Sequence, residues 1–214
     1  MRAALAAVLA LLAGPAIAEQ QAAGGACVTL GKPGADDRFH YRRSDANAAL
    51  RYSLQWHEYT DRTARFSVRG SAGNEDVVNS HRVVDDVTMI ESTTSSGPKG
   101  SHRTTFSPRA MGEPLFRVCA GRSWRIPPVS VTNDAGGRRH TAPMPGGKME
   151  VVSLRETITV PAGTFECVHY RRTLDVQGGP SVDDYWRSIR HGVVVRQVSR
   201  LPKWTSTMEL QSID

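Results

Sequence analysis

The segments Glu150–Val160 (EVVSLRETITV) and Phe165–Leu174 (FECVHYRRTL) flank Pro161-Ala162-Gly163, and their pattern decides the fold. Along the first segment one face carries Val152, Leu154, Ile158 and Val160. The other carries Val151, Ser153, Arg155, Thr157 and Thr159. Apolar–polar alternation of period two predicts a strand with one buried and one wet face. Pro161 fixes φ and Gly163 permits a positive φ, so the chain turns there and Phe165 anchors the returning strand in the core. By the same alternation Glu156 points where the apolar residues point. A buried carboxylate requires a partner. Arg171, Arg172 and His169 on the returning strand are the candidates, as a structural ion pair or as a polar group in a ligand cavity.

Period two continues outward. Tyr185–Ile189, Val193–Val198 and Ser206–Ile213 add short strands on the C-terminal side. Toward the N-terminus, Leu50, Tyr52, Leu54 and Trp56 alternate with Arg51, Ser53, Gln55 and His57, and Ala64, Phe66 and Val68 alternate with Thr63, Arg65, Ser67 and Arg69. The polar connection Glu58–Arg62 joins these two as a hairpin. Weaker strands are expected at Val83–Ser92 and His102–Ser107, with turn chemistry at Thr93–Ser101 between them. Residues 133–147, holding Gly136-Gly137, Pro143, Pro145 and Gly146-Gly147, are expected to form a mobile loop. Ser44–Ala49 suits one short helix with Ser44 as N-cap. Long helical periodicity and internal repeats are absent. The expected class is mainly β: a curved antiparallel sheet or partly open β-barrel with few short helices. Such a sheet must cover its apolar concave face, and with little helix to plug it that side becomes a ligand cavity.

Residues 1–18 have the three parts of a secretory leader: Met1-Arg2, the apolar run Ala3–Leu12, and Ala16-Ile17-Ala18 before an expected cleavage at Glu19. The apolar run is too short for a permanent span, and no later stretch is apolar enough. A lipidated Cys27 is rejected, because Gly24 stands where a lipobox needs a long aliphatic residue. The expected layout is a leader over 1–18, a flexible segment over 19–37 and one β-rich domain over 38–214, placed in the periplasm. The chain carries 27 Lys+Arg against 21 Asp+Glu. Its basic residues fall in scattered pairs (Arg42-Arg43, Arg138-Arg139, Arg171-Arg172) that suit solvated faces and not a nucleic-acid stripe. Cys27, Cys119 and Cys167 leave an odd thiol in an oxidising compartment. Cys119–Cys167 is the first expected bond, and a bond from Cys27 to either is the alternative.

Catalytic and metal patterns are weak. The seven histidines (His40, His57, His81, His102, His140, His169 and His191) form no HExxH or HxH spacing. Gly121-Arg122-Ser123-Trp124-Arg125 lacks the closing glycine and the following helix of a nucleophile elbow. The acidic pairs Asp36-Asp37, Asp85-Asp86 and Asp183-Asp184 point to opposite faces if they lie on strands, so neither member can converge with its neighbour. Solvation is the plain expectation for them. No cofactor is implied.

The run Thr159-Val160-Pro161-Ala162-Gly163-Thr164-Phe165-Glu166-Cys167 is accompanied by Tyr185-Trp186, His191–Arg196, Pro114-Leu115 and Gly121–Trp124. Together these resemble a family of periplasmic proteins similar to the lipoprotein-carrier (LolA/LolB-like) superfamily, over roughly residues 105–200. The resemblance implies an open curved sheet with an apolar concave face, and the carrying or sensing of a lipid or acylated partner. The expected ligand-face residues are Tyr52, Leu54, Trp56, Phe66, Trp124, Glu156, Phe165 and Trp186, since aromatics combine apolar area with a polar handle. A non-catalytic binding or envelope-accessory protein is the leading expectation. The rivals are a hydrolase built on Ser123 or a histidine cluster, and a structural subunit that pairs through a sheet edge.

Overall fold

The computed structural model describes residues 25–34, 37–44, 52–59, 63–70, 75–84, 87–97, 100–114 and 116–214, with backbone only for 52–79, 82 and 84. All regular structure among these residues is strand. In chain order the strands are β1 (Cys27–Thr29), β2 (Phe39–Arg43), β3 (Tyr52–Tyr59), β4 (Thr63–Gly70), β5 (Glu75–Val84), β6 (Val87–Gly97), β7 (Gly100–Pro114), β8 (Arg117–Cys119), β9 (Ser123–Ile126), β10 (Val129–Ala135), β11 (Arg138–Met144), β12 (Gly147–Val160), β13 (Gly163–Leu174), β14 (Ser181–Ser188), β15 (Val194–Leu201) and β16 (Trp204–Ile213). β1 and β8 form a two-stranded sheet. The other fourteen form one antiparallel sheet in the order β11-β10-β7-β6-β5-β4-β3-β2-β16-β15-β14-β13-β12-β9.

The two ends of this sheet are neighbours along the chain. β9 lies at one edge and β10 next to the other, yet only Pro127 and Pro128 separate them. Three residues of extended chain reach about 10 Å, so the sheet must curl until its ends meet. Ile126 and Val129 are both buried at the seam. The two prolines have no amide hydrogen to donate, and no ladder joins β9 to β10, so the curl stays open. The inner face is covered by the sheet itself. Val87 of β6 packs in one cluster with Ile126, Met149, Tyr170 and Tyr185, and Met111 of β7 lies against it. Glu113 of β7 reaches across to an ion pair with buried Arg187 of β14, whose Nη1 also donates to the Gly192 carbonyl at 2.6 Å.

β12 and β13 form the expected hairpin, with Gly163 at φ +131°. The faces of β12 are not those of simple alternation. Register shifts between Val151 and Ser153, and between Ser153 and Glu156, insert unpaired residues. Both faces of β12 also bury residues: Val151, opposite Tyr170, packs with Val28 and Val168, while Val160 and Ile158 pack with the Cys167 cluster, and Val152 is left 46 % exposed. β13 and β14 pair in a register that sets Arg171 opposite Asp184 and Arg172 opposite Asp183. The pairs do divide between the two faces, but not into solvent: Asp183 and Asp184 are both buried. On one face Arg172 donates to Asp183 Oδ2 through Nε at 3.1 Å and Nη2 at 2.9 Å. Across that face Tyr170 stacks on Tyr185 with ring centroids 4.9 Å apart.

Several expectations need correcting. Residues 133–147 are no mobile loop. Gly136 and Gly137, at φ +56° and +76°, make the two-residue turn of a β10–β11 hairpin, since paired positive φ values match strand twist. Pro143 is tolerated because β11 is an edge strand. Val83–Ser92 is the junction of β5 and β6, whose pairing closes at Val84↔Val87. Most of Thr93–Ser101 is strand, with Gly97 opposite Gly100. Of the segment 19–37, Cys27–Thr29 is a strand with Val28 and Leu30 buried. The expected helix at Ser44–Ala49 lies outside the described residues beyond Ser44, whose hydroxyl accepts the Thr207 amide at 2.9 Å. The disulfide is Cys27–Cys119 and not Cys119–Cys167. β1 and β8 place Cys27 directly opposite Cys119, with Cα atoms 4.0 Å apart. Cys167 is instead a buried free thiol, packed with Phe39, Tyr41 and Leu210.

Two outcomes test this fold. Non-reducing peptide mapping should recover Cys27 linked to Cys119, with Cys167 alkylated only after unfolding. Replacing Gly163 with Val should cost about 1–3 kcal/mol in denaturant melts, because a branched side chain is strained at that φ.

Candidate functional site

On the outer face of β12–β14, Glu156, His169, Asp184 and Trp186 form one hydrogen-bonded group. The bulges on β12 bring Glu156 opposite Cys167, beside His169. His169 Nδ1 lies 3.0 Å from Glu156 Oε1, and its Nε2 lies 2.8 Å from Asp184 Oδ1. Trp186 Nε1 donates to Glu156 Oε2 at 2.7 Å. The indole stacks on the imidazole with centroids 4.5 Å apart, because His169 and Trp186 are directly opposed across the strands. The Arg196 guanidinium lies over the indole at 5.5 Å.

Asp184 is the electrostatic centre of this group. Arg171 Nε donates to its Oδ1 at 2.9 Å and Arg200 Nη1 to its Oδ2 at 2.5 Å. Burial alone would raise its pKa, but hydrogen bonds from Arg200, Arg171 and His169 outweigh burial and hold the carboxyl at about 2. The arrangement limits what His169 can do. Each ring nitrogen lies within hydrogen-bond reach of a carboxylate oxygen. A general base needs one nitrogen turned toward a nucleophile or substrate, and His169 has none to spare.

A pocket of about 520 Å³ opens past the β12–β13 turn, at the same end of the sheet as the β14–β15 turn. Ala162, Phe165, Ile189 and Ile213 supply its apolar lining, with Glu166, Arg190 and His191 among the polar residues. Its size suits a small ligand. His191 is fixed by its amide, which donates to Ser188 Oγ at 3.2 Å, and by an edge contact with Phe165 at 6.0 Å. Burial lowers the His191 pKa, and the Arg190 charge adds to the effect. The Glu166 charge is met by Arg155 at 2.6 Å. Phe165 and Trp186 both pack against the cluster that contains Cys167, so the pocket and the histidine group share one wall of core. Burial, with Glu156 and Glu166 nearby, pushes the Cys167 thiol up to about 12, which leaves it unreactive.

Of the eight expected ligand-face residues, Glu156, Phe165 and Trp186 come together here. Trp124 does not: it stands on β9 opposite Met149, packs against two core clusters and has Arg122 over its ring at 5.0 Å. Tyr52, Leu54, Trp56 and Phe66 lie on β3 and β4, with Trp56 opposite Phe66 and Leu54 opposite Val68, and their side chains fall outside the described residues. His169, one of three expected partners of Glu156, is the one that meets it. Asp184, Arg200, Arg190 and His191 were not expected at the site. The visible signal for Asp184 is the Arg171-Arg172 pair, which lies opposite Asp184-Asp183 once the strands pair. Ser123 is exposed on β9 and begins a strand, so the elbow is absent. Among the described residues no cluster of three or more His, Cys, Asp or Glu could hold a metal ion, and no helix is long and apolar enough to cross a membrane.

No protein-family model and no curated protein matches the chain. Its fold matches a candidate exported protein with a YmcC-like fold from Bacteroides fragilis, at a TM-score of 0.53 and 13 % identity, covering 88 % of this chain and 100 % of that one. The hypothetical lipoprotein YmcC from Escherichia coli aligns at a TM-score of 0.42 and 8 % identity, over 85 % and 87 % of the two chains. The first likeness shows a shared mainly β fold. Neither likeness shows the expected lipoprotein-carrier relationship.

Two perturbed groups predict the acid response. His81 of β5 is buried, and burial, aided by the Arg187 charge, lowers its pKa from 6.5 to about 4. The unfolded chain binds that proton first, so stability should fall as pH drops from about 6.5 to about 4 and then level for this group. Asp184 is depressed instead, so its contribution is full above about 4 and is lost as pH falls through about 2. Urea melts from pH 7 to 2 should show both steps. Asp184→Asn should cost about 3–5 kcal/mol, since it strands Arg171 and Arg200 beside a neutral amide, and it should remove the lower step alone.

Proposed function

We propose that this chain is exported to the periplasm and works there as a non-catalytic binding or envelope-accessory protein for a lipid or an acylated partner. The observation that carries the proposal is the pocket beside Phe165. Its apolar lining of Ala162, Phe165, Ile189 and Ile213 accepts an aliphatic tail, and Arg190 and His191 accept a polar head at its rim. Phe165 is also the residue that the turn motif singles out as an anchor. The hydrolase alternative finds less support, because both nitrogens of His169 are engaged by carboxylates and Ser123 stands on an exposed strand. The Cys27–Cys119 bond suits an oxidising compartment.

Dodecanoate titrated into the purified protein should raise the melting temperature in proportion to the logarithm of its concentration. Phe165→Ala should weaken that binding about tenfold, close to the loss expected for one aromatic contact. Native mass spectrometry of protein taken from cells should show bound lipid-sized mass. No shift with dodecanoate and no bound mass would end the lipid proposal. N-terminal sequencing should begin at Glu19, and accumulation of the uncut chain in the cytoplasm would end the export proposal.

A further inference from the structure

β11 is the last strand of the large sheet and pairs only with β10. The hairpin geometry states which of its backbone groups are spare. In a two-residue turn the flanking residues form a hydrogen-bonded pair, and such pairs then alternate along the ladder. Ala135↔Arg138 is the flanking pair here, so His140, Ala142 and Met144 also turn their N–H and C=O groups toward β10. Arg139, Thr141 and Pro143 turn theirs outward. Pro143 has no N–H, and it stands at an outward position, where none is owed to β10. The edge therefore offers the amides of Arg139 and Thr141 and the carbonyls of Arg139, Thr141 and Pro143. No strand takes them among the described residues.

The side chains around this edge are mostly basic. Arg138, Arg139, His140 and Thr141 are all exposed, and Arg103 on β7 occupies the same row as Asp134 and Arg139. Three arginines here meet one aspartate, Asp134, which lies 3.5 Å from Arg139. His102 and His140 are exposed as well and, by register, share the face of Arg138, opposite that of Arg103 and Arg139. Charges and proline on an edge guard against pairing between like copies. The same charges favour a strand of opposite sign.

We propose that β11 is a docking edge for an acidic extended segment of a partner protein, which adds as a further antiparallel strand. Backbone bonds at Arg139 and Thr141 hold the segment, and Arg103 and Arg139, on one face, select carboxylate side chains, with Arg138 on the opposite face. A second copy of this chain is disfavoured, because pairing would join two arms of the same charge.

The geometry supplies a selective test. Thr141→Pro removes an outward donor but no bond to β10, as Pro143 already does two residues on. Thr141→Val keeps the donor. The probe is a labelled, acetylated heptapeptide of alternating Glu and Val, with a Lys-for-Glu version as control, measured by fluorescence anisotropy at low salt. The Glu peptide should bind with a Kd below about 1 mM and at least about tenfold tighter than the Lys peptide. Thr141→Pro should weaken it about tenfold or more, while Thr141→Val leaves it within about twofold. Hydrogen exchange should slow at the amides of Arg139 and Thr141 and stay unchanged at His140. Absence of binding, equal binding of the two peptides, indifference to Thr141→Pro, or unchanged exchange at Arg139 and Thr141 would each overturn the proposal. So would a dimer in sedimentation that Thr141→Pro dissolves, since the occupant would then be a second copy.

Discussion

Among the described residues no helix lies against the curved sheet, so its inner face is buried against itself, and the architecture follows from that constraint. Apolar area left wet costs about 25 cal/mol per Å², so the curl continues until strands from opposite ends of the order meet. Val87 and Met111, carried by β6 and β7, fill the space over Met149, Tyr170 and Tyr185. Pro127-Pro128 brings the two ends of the sheet together while supplying no amide for a closing ladder. The product is an open curl in which no ladder joins β9 to β10. The pocket of about 520 Å³ lies past the β12–β13 turn, at the end of the strands.

Charge organises the middle of the same sheet. Two adjacent arginines on β13 face two adjacent aspartates on β14, and strand alternation sends one pair to each side. The inner pair, Arg172 and Asp183, belongs to the stacked tyrosines, with the guanidinium 5.4 Å from the Tyr185 centroid. The outer pair anchors His169 and, through it, Glu156 and Trp186. A buried ion pair broken on one side costs far more than the intact pair contributes. Such a pairing therefore penalises any slip of β13 against β14, because a shift of one residue would leave charges buried and opposed to apolar neighbours.

The two proposed contact regions lie at different parts of the coil. The pocket sits where the β12–β13 and β14–β15 turns and the end of β16 converge. The β11 edge belongs to the β10–β11 hairpin, whose tip is exposed. Ligand capture at one and strand addition at the other make no use of a common side chain, so each can be disturbed without the other.

Strand content, the β12–β13 hairpin, the β3–β4 hairpin and the need of Glu156 for a basic neighbour were legible in the residues alone, because alternation and turn chemistry act within a few residues of one another. Three things were not. The burial of Val151 in place of Val152 was hidden, because β12 buries residues on both faces and carries two bulges that show themselves only against a partner strand. The turn at Gly136-Gly137 passed for a loop, because the residues beside it, Asn133-Asp134 and Arg138–Thr141, are polar and display no apolar period. Cys27 took Cys119 in place of Cys167, since β1 and β8 meet across 92 residues of chain. Local sequence sets which segments extend and where they bend. Which strands become neighbours, and so which charges, thiols and edges meet, is decided by the packing of the whole coil, because that choice depends on burying surface contributed from distant parts of the chain.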